Sequence, residues 1–107
     1  MSSNKMQQLR LTQQNLQNVL GQKQQLESQL LELDSALTEL KTAEKAYRII
    51  GKIMVASPTE KLSKELQEKR EVIEIRFKNF SKQEERLKAG LEEAQQEVLQ
   101  ELKQKKK

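Results

Sequence analysis

AYRIIGKIMVASPTE, residues 46–60, is the stretch that decides the fold, because it interrupts a chain that otherwise favours helix. Two short runs rich in β-branched and bulky residues, 47–50 and 53–56, flank the dipeptide Gly51-Lys52. A glycine at the first position of a two-residue loop accepts the positive φ of a type II′ turn. The stretch therefore predicts a β-hairpin at about residues 46–56, with a loop carrying apolar anchors as the alternative.

Such a hairpin needs a partner. A two-stranded hairpin on its own is marginal in water, and its edges leave backbone groups unpaired. The rest of the chain offers no third strand. The hairpin therefore predicts oligomerisation.

The residues on either side of the hairpin predict two long helices. Residues from about 5 to 44 contain no proline and are rich in Gln, Leu, Glu and Lys, which favour helix. After the hairpin, the sequence predicts Ser57 as the N-cap of a helix, Pro58 as its first residue and Glu60 as its third, which is a capping box of the S-x-x-E type. A second helix is expected from about residue 58 to 104. Gly21 and Gly90 lie inside these helices and predict a less stable zone part-way along them.

Apolar residues repeat in both helices at alternating spacings of three and four, which is the pattern of a coiled coil. The first helix carries this seam at Leu9, Thr12, Leu16, Val19, Lys23, Leu26, Leu30, Leu33, Leu37 and Leu40. The second helix carries it at Leu66, Arg70, Ile73, Phe77, Phe80, Glu84, Leu87, Leu91, Ala94 and Val98. Paired in reverse, the two runs place Lys23 opposite Glu84. The fold class predicted is mainly α: a long antiparallel two-helix coiled coil joined by a short β-hairpin, in one domain.

Composition agrees with a thin seam rather than a thick core. The chain has 107 residues, of which 35% are hydrophobic and 34% charged. It has no cysteine and no histidine, so a disulfide framework, a thiolate metal site and the usual general base are excluded. No apolar run approaches the length of a membrane span or a signal-peptide core. We expect a cytoplasmic protein without metal or cofactor.

The net charge is +4, so nucleic-acid binding has to be weighed. Acidic and basic residues are interleaved along both helices, as on an ordinary solvated surface. The block of like charge is a basic tail at residues 103–107, and aromatic stacking residues are few. Only three glycines are present, too few for a glycine-rich phosphate loop. Neither a nucleic-acid partner nor an enzyme is expected.

The central sequence resembles the beta-class subunits of prefoldin, an ATP-independent co-chaperone of archaea and eukaryotes. The stretch AYRIIGKIMVASPTEKLSKEL, residues 46–66, resembles the family's Tyr, strand, Gly, second strand and helix start. The following QEKREVIEIRFKNFSKQEERLK, residues 67–88, resembles its second helix. One hairpin rather than two is typical of the beta class.

This resemblance implies a hetero-hexamer of two alpha-class and four beta-class subunits, written α2β4. The hairpins would assemble into a β-barrel, and the coiled-coil tips would hold unfolded protein clients for delivery to a group II chaperonin. The oligomerisation residues implied are Tyr47, Ile49, Ile50, Ile53, Met54 and Val55. The client-binding residues implied at the tips are Met6, Leu9, Leu11, Val98, Leu99 and Leu102.

Two hypotheses therefore remain. The first is an ATP-independent holdase subunit that binds non-native polypeptides. The second is a structural coiled-coil adaptor that oligomerises or tethers other proteins without holding clients. Mixing with an alpha-class partner separates them, because only the holdase is expected to form a defined hetero-hexamer that suppresses aggregation.

Overall fold

The computed structural model describes residues 2–105, and the side chains of residues 4–104. The elements follow in the order α1 (Ser2–Leu40), β1 (Ala46–Ile50), β2 (Ile53–Ser57) and α2 (Thr59–Lys105). The predicted fold class is confirmed in its main part, since two long helices are joined by a two-stranded antiparallel hairpin. Within the basic tail, Lys106 and Lys107 lie outside the described residues.

The hairpin turns at Gly51-Lys52, as the sequence predicted. Strand β1 pairs antiparallel with β2, and the last pair before the turn is Ile50 with Ile53. Gly51 has a φ of 62°, whereas Lys52 has a negative φ. A type I′ turn requires positive φ at both positions, so these values fit the type II′ turn.

The first helix ends earlier than the sequence predicted, at Leu40 rather than at about residue 44. Helix α1 ends at Leu40, and its last turn is tightened by hydrogen bonds from Lys41 N–H to the Thr38 carbonyl and from Thr42 N–H to the Glu39 carbonyl, each 3.3 Å. These i to i+3 bonds satisfy carbonyls that would otherwise remain open at the helix end.

Helix α2 starts one residue later than the capping signature predicted. The carbonyl of Pro58 accepts the hydrogen bond from Leu62 N–H at 3.1 Å. Ser57 is the last residue of β2 and pairs with Ala46 in the strand ladder. The expected role of Ser57 as the helix cap was therefore wrong, because Ser57 belongs to the sheet.

By their internal contacts the residues form two units. The hairpin unit comprises residues 25–77, and the terminal unit comprises residues up to 24 together with those from 78 onwards. In the hairpin unit, Leu33, Ala46 and Ile73 are buried. In the terminal unit, Val19 is buried. Every predicted seam residue is buried or half-buried, so the heptad pattern identified the inner face of each helix.

Candidate assembly and helix-end surfaces

The hairpin carries several large apolar side chains that stay exposed in the single chain. The six residues predicted for oligomerisation are between 43% and 72% exposed. Monomeric proteins rarely leave so many large apolar side chains together in water. The structure therefore brings all six together on one two-stranded sheet, and we call this set the hairpin surface.

The strand register divides this surface into two faces. Side chains of paired residues point to the same side of a sheet. Tyr47 pairs with Ala56 and Ile49 with Met54, and these four residues form the open face. The opposite face, called here the helix-side face, carries Ala46, Arg48, Ile50, Ile53, Val55 and Ser57.

The helix-side face contacts the rest of the hairpin unit at the end far from the turn and is exposed to solvent near the turn. Ala46 is 8% exposed, and Arg48 forms an ion pair with Glu65 of helix α2. Further along the same face, Ile50 and Ile53 are 57% and 66% exposed. The hairpin is thus held against α2 near its start, and its apolar turn projects into solvent.

The residues predicted for client binding lie in two different environments. Met6, Leu11, Leu99 and Leu102 are exposed, as a surface for other proteins requires. We call these four residues the helix-end surface. Leu9 and Val98 are half-buried in the seam instead. The last two are therefore inner-face residues of the coiled coil rather than freely available contacts.

A polar layer lies one step beyond Leu9 and Val98. Lys5 Nζ is 2.9 Å from Glu101 Oε1 and 3.9 Å from Glu97 Oε2. The hydrogen bond to Glu101 raises the pKa of Lys5 above its ordinary value, and attraction to both carboxylates acts in the same direction. Sequence reasoning missed this ion pair, although extending the antiparallel register by one layer would have found it.

The predicted pair of Lys23 and Glu84 is confirmed. Lys23 Nζ donates a hydrogen bond of 2.6 Å to Glu84 Oε1, and Lys88 Nζ lies 2.6 Å from Glu84 Oε2. The Glu84 side chain is only 14% exposed. The hydrogen bond from Lys23, followed by that from Lys88, holds the pKa of Glu84 below its usual range.

Arg70 is the third charged residue at a predicted seam position that has a cross-helix partner. Its Nε is 2.5 Å from Asp34 Oδ1, its Nη2 is 3.4 Å from Asp34 Oδ2, and its Nη1 is 3.0 Å from Glu74 Oε2. The fork of two bonds to Asp34 raises the pKa of Arg70. An arginine stem can cover a seam while its guanidinium reaches the surface, which explains why the position tolerates a charge.

Among the residues that the structure describes, no group of acidic side chains could hold a metal ion. Over the same residues, neither helix is apolar enough for an 18-residue stretch to cross a membrane.

Comparison with known proteins identifies the family. The family model described as prefoldin subunit matches residues 3–106. The chain belongs to the prefoldin subunit family. Prefoldin is a family of chaperones rather than enzymes, so this member is a chaperone subunit.

Individual relatives agree with the beta class. Prefoldin subunit beta of Archaeoglobus fulgidus is 39% identical over 94 residues, which cover 85% of this chain and 81% of that protein. Prefoldin subunit beta of Pyrobaculum islandicum is 34% identical over 90 residues, which cover 81% and 72%. The crystal structure of the prefoldin beta subunit from Thermococcus strain KS-1 superposes with a TM-score of 0.89 at 31% identity and covers 94% of this chain and 91% of that one. The resemblance seen in the sequence is therefore confirmed.

Proposed function

We propose that this chain is the beta-class subunit of an α2β4 prefoldin that holds non-native polypeptides without ATP in the cytoplasm and passes them to a group II chaperonin. Neither nucleic acid nor membrane is a partner in this proposal. The observation that carries it is the hairpin surface, whose six large apolar residues and unpaired strand edges are open to water in the single chain. Packing against the hairpins of neighbouring subunits would remove the apolar residues from water and give the strand edges hydrogen-bond partners.

The assembly step is tested by two substitutions at the turn of the hairpin. Ile50→Asp together with Ile53→Asp places charges where apolar contact is proposed. We expect native mass spectrometry with an alpha-class partner to show no hetero-hexamer, while circular dichroism keeps the helix content. Lys52→Glu, at the turn between them, serves as a control for added negative charge. A hexamer of unchanged mass and midpoint would overturn the assembly role.

The client-binding step rests on the helix-end surface. Met6, Leu11, Leu99 and Leu102 are solvent-exposed, so replacing all four by serine removes apolar contact area without opening the seam. We expect the assembled variant to suppress aggregation of a denatured client several-fold less well than the unmodified protein. Leu31→Ser is the control, because Leu31 is an exposed leucine of α1 that lies in the hairpin unit. Equal loss in both variants would show that the helix ends are not the client surface.

Delivery and holding can be separated from simple tethering in the same preparation. A holdase hexamer suppresses aggregation and then releases the client to an added group II chaperonin in a form that refolds. A coiled-coil adaptor would assemble with its partner but leave client aggregation unchanged. Measuring turbidity and recovered client activity, with and without chaperonin, distinguishes the two.

A further inference from the structure

Arg48 joins the hairpin to helix α2 at a place that fixes the direction of the hairpin. Arg48 lies in the middle of β1, opposite Val55, and its guanidinium pairs with the Glu65 carboxylate. Val55 precedes Thr59, the first residue of α2, by four residues, so the Arg48 level lies about 13 Å from the start of α2. Glu65 lies about 9 Å along α2 from Thr59.

These lengths exclude a hairpin that continues straight away from the helix. In that arrangement the two backbones would be about 22 Å apart, which is further than an arginine and a glutamate side chain reach together. The ion pair therefore requires the hairpin to bend back towards the side of α2 that carries Glu65. Side-chain exposure agrees, since the helix-side face is buried at Ala46 and open at Ile50.

We infer that Arg48 and Glu65 are positioning residues for assembly: their ion pair sets the angle at which the hairpin surface is presented to neighbouring subunits. This inference rests on the proposed function, because it assigns a role within hairpin-mediated assembly. A hairpin that swivels about residues 57 and 58 presents its edges correctly only part of the time. The apparent association constant falls by the fraction of chains in the competent orientation.

The expected effect on folding is small and the effect on assembly is large. Arg48 and Glu65 are 40% and 38% exposed, and exposed ion pairs shift an equilibrium only about two- to fivefold. The proposed hexamer contains four beta-class copies, so the loss in each copy multiplies with the loss in the other three. A threefold loss of the competent orientation per copy lowers the assembly constant about eightyfold. The helices of the single subunit should melt at nearly the same temperature.

The variants form a charge-exchange cycle with two controls. Arg48→Glu and Glu65→Arg each place like charges together, and the double exchange restores an ion pair with reversed signs. Lys45→Glu, just before β1, repeats the first charge change. Glu71→Arg, on another side of α2, repeats the second. Both control residues are exposed.

The first readout needs no partner. Tyr47 is the only tyrosine and the chain has no tryptophan, so tyrosine fluorescence reports on the residue next to Arg48. We expect its anisotropy in the unassembled chain to fall in either single exchange and to recover in the double exchange. Lys45→Glu and Glu71→Arg should match the unmodified protein. Equal anisotropy in the unmodified protein and all the variants would overturn the inference, whether or not assembly occurs.

The second readout is the midpoint of hetero-hexamer formation with an alpha-class partner, measured by native mass spectrometry across subunit concentration. We expect it to rise for both single exchanges and to return for the double exchange, at unchanged helix content and Tm. Single exchanges that assemble like the unmodified protein would overturn the positioning role alone. An unmodified protein that forms no hexamer would instead overturn the proposed function.

Discussion

Lys23 and Glu84 form a polar layer in the seam of the terminal unit. A charged pair in a coiled-coil seam costs desolvation, which offsets much of the attraction between the two charges, but removing one partner leaves the other charge poorly solvated. Such layers also fix the register, because any slip places each charge against apolar residues. Lys88 adds a second cation to Glu84, at 2.6 Å. The unit that matters is therefore a triad.

The triad predicts a specific pattern of exchange variants. Lys23→Glu should lower the Tm by on the order of 5 °C, because two carboxylates then share the layer. Combining Lys23→Glu with Glu84→Lys should recover only part of this loss, since the introduced ammonium group lies beside that of Lys88. Adding Lys88→Glu should recover more. Thermal denaturation of the four proteins measures the pattern, and identical losses in the double and triple exchanges would show that Lys88 is not coupled to Glu84.

The lowered pKa of Glu84 predicts loss of stability in acid. The hydrogen bonds from Lys23 and Lys88 favour the ionised carboxylate in the folded state. The contribution of the Glu84 carboxylate to folding stability is therefore present above the ordinary pKa of 4.5 and is lost as the pH falls through the lower folded-state pKa. We expect Glu84→Gln to be less stable at pH 7, with a difference in Tm that narrows below about pH 4.5. If the Tm difference between the two proteins stays constant from about pH 7 to about pH 2, the stabilisation does not come from the ionised Glu84 carboxylate.

Some residue contacts could be predicted from the sequence and others could not. The Lys23–Glu84 pair follows from two apolar runs that keep one reversed register. The Lys5–Glu101 pair continues that register, but both residues are charged, so the apolar pattern ends before reaching them. Asp34 lies beside the seam rather than in it, and the heptad gives no signal that Arg70 reaches out to it.

At the scale of the element, all three glycines have room for a side chain, but their backbone conformations differ. A Cβ at Gly21, Gly51 or Gly90 would meet no atom within 4 Å. Gly21 and Gly90 lie inside helices, where glycine costs about 1 kcal/mol relative to alanine. Gly51 has a φ of 62°, which a residue with a Cβ adopts at a cost of about 1 to 2 kcal/mol. Alanine should therefore stabilise the protein at Gly21 and Gly90 and destabilise it at Gly51.

Three single alanine variants test this contrast. Gly21→Ala and Gly90→Ala should each raise the free energy of unfolding by about 1 kcal/mol in urea denaturation followed by circular dichroism. Gly51→Ala should leave the helical signal nearly unchanged but weaken the amide hydrogen-exchange protection of residues 46–57. Gly51→Asn is the control, because Asn tolerates positive φ better than Ala. Equal protection in the Ala and Asn variants would show that the turn does not depend on this conformation.

The elements themselves were predictable, whereas their junctions were not. Heptad spacing, the β-branched runs and Gly51 each favour one local structure, and they agree with one another. The end of α1 at Leu40 depends on two i to i+3 hydrogen bonds, which no residue type in that stretch requires. The start of α2 depends on whether Ser57 joins the strand or the helix. Both choices satisfy its backbone, so the sequence leaves the choice open.

At the scale of the whole molecule, the two surfaces named above can be compared with the division of the chain into units. The hairpin surface and the helix-end surface belong to different units of the chain. Alternation along the strands predicts which hairpin residues share a face. It does not predict which face turns towards α2, because that depends on the contact between Arg48 and Glu65. Under the proposed function, assembly and client holding would therefore use different residues.

Two methionines provide one reporter for each surface. Met54 lies on the open face of the hairpin and is 65% exposed, whereas Met6 lies on the helix-end surface and is 40% exposed. Thioether oxidation by peroxide depends on access to the sulfur, and mass spectrometry assigns the sulfoxide to each residue. Brief oxidation therefore measures how far each surface is covered in the same molecule.

We expect the two reporters to respond to different partners. Assembly with an alpha-class subunit should slow oxidation of Met54 several-fold and leave Met6 unchanged, because the proposed assembly buries the apolar side chains of the hairpins against one another. Adding a denatured client to the assembled complex should then slow oxidation of Met6 without a further change at Met54. A folded form of the same client is the control and should protect neither. If the denatured client protects Met54 in the unassembled chain but never Met6, the hairpin rather than the helix ends is the apolar surface that holds non-native protein.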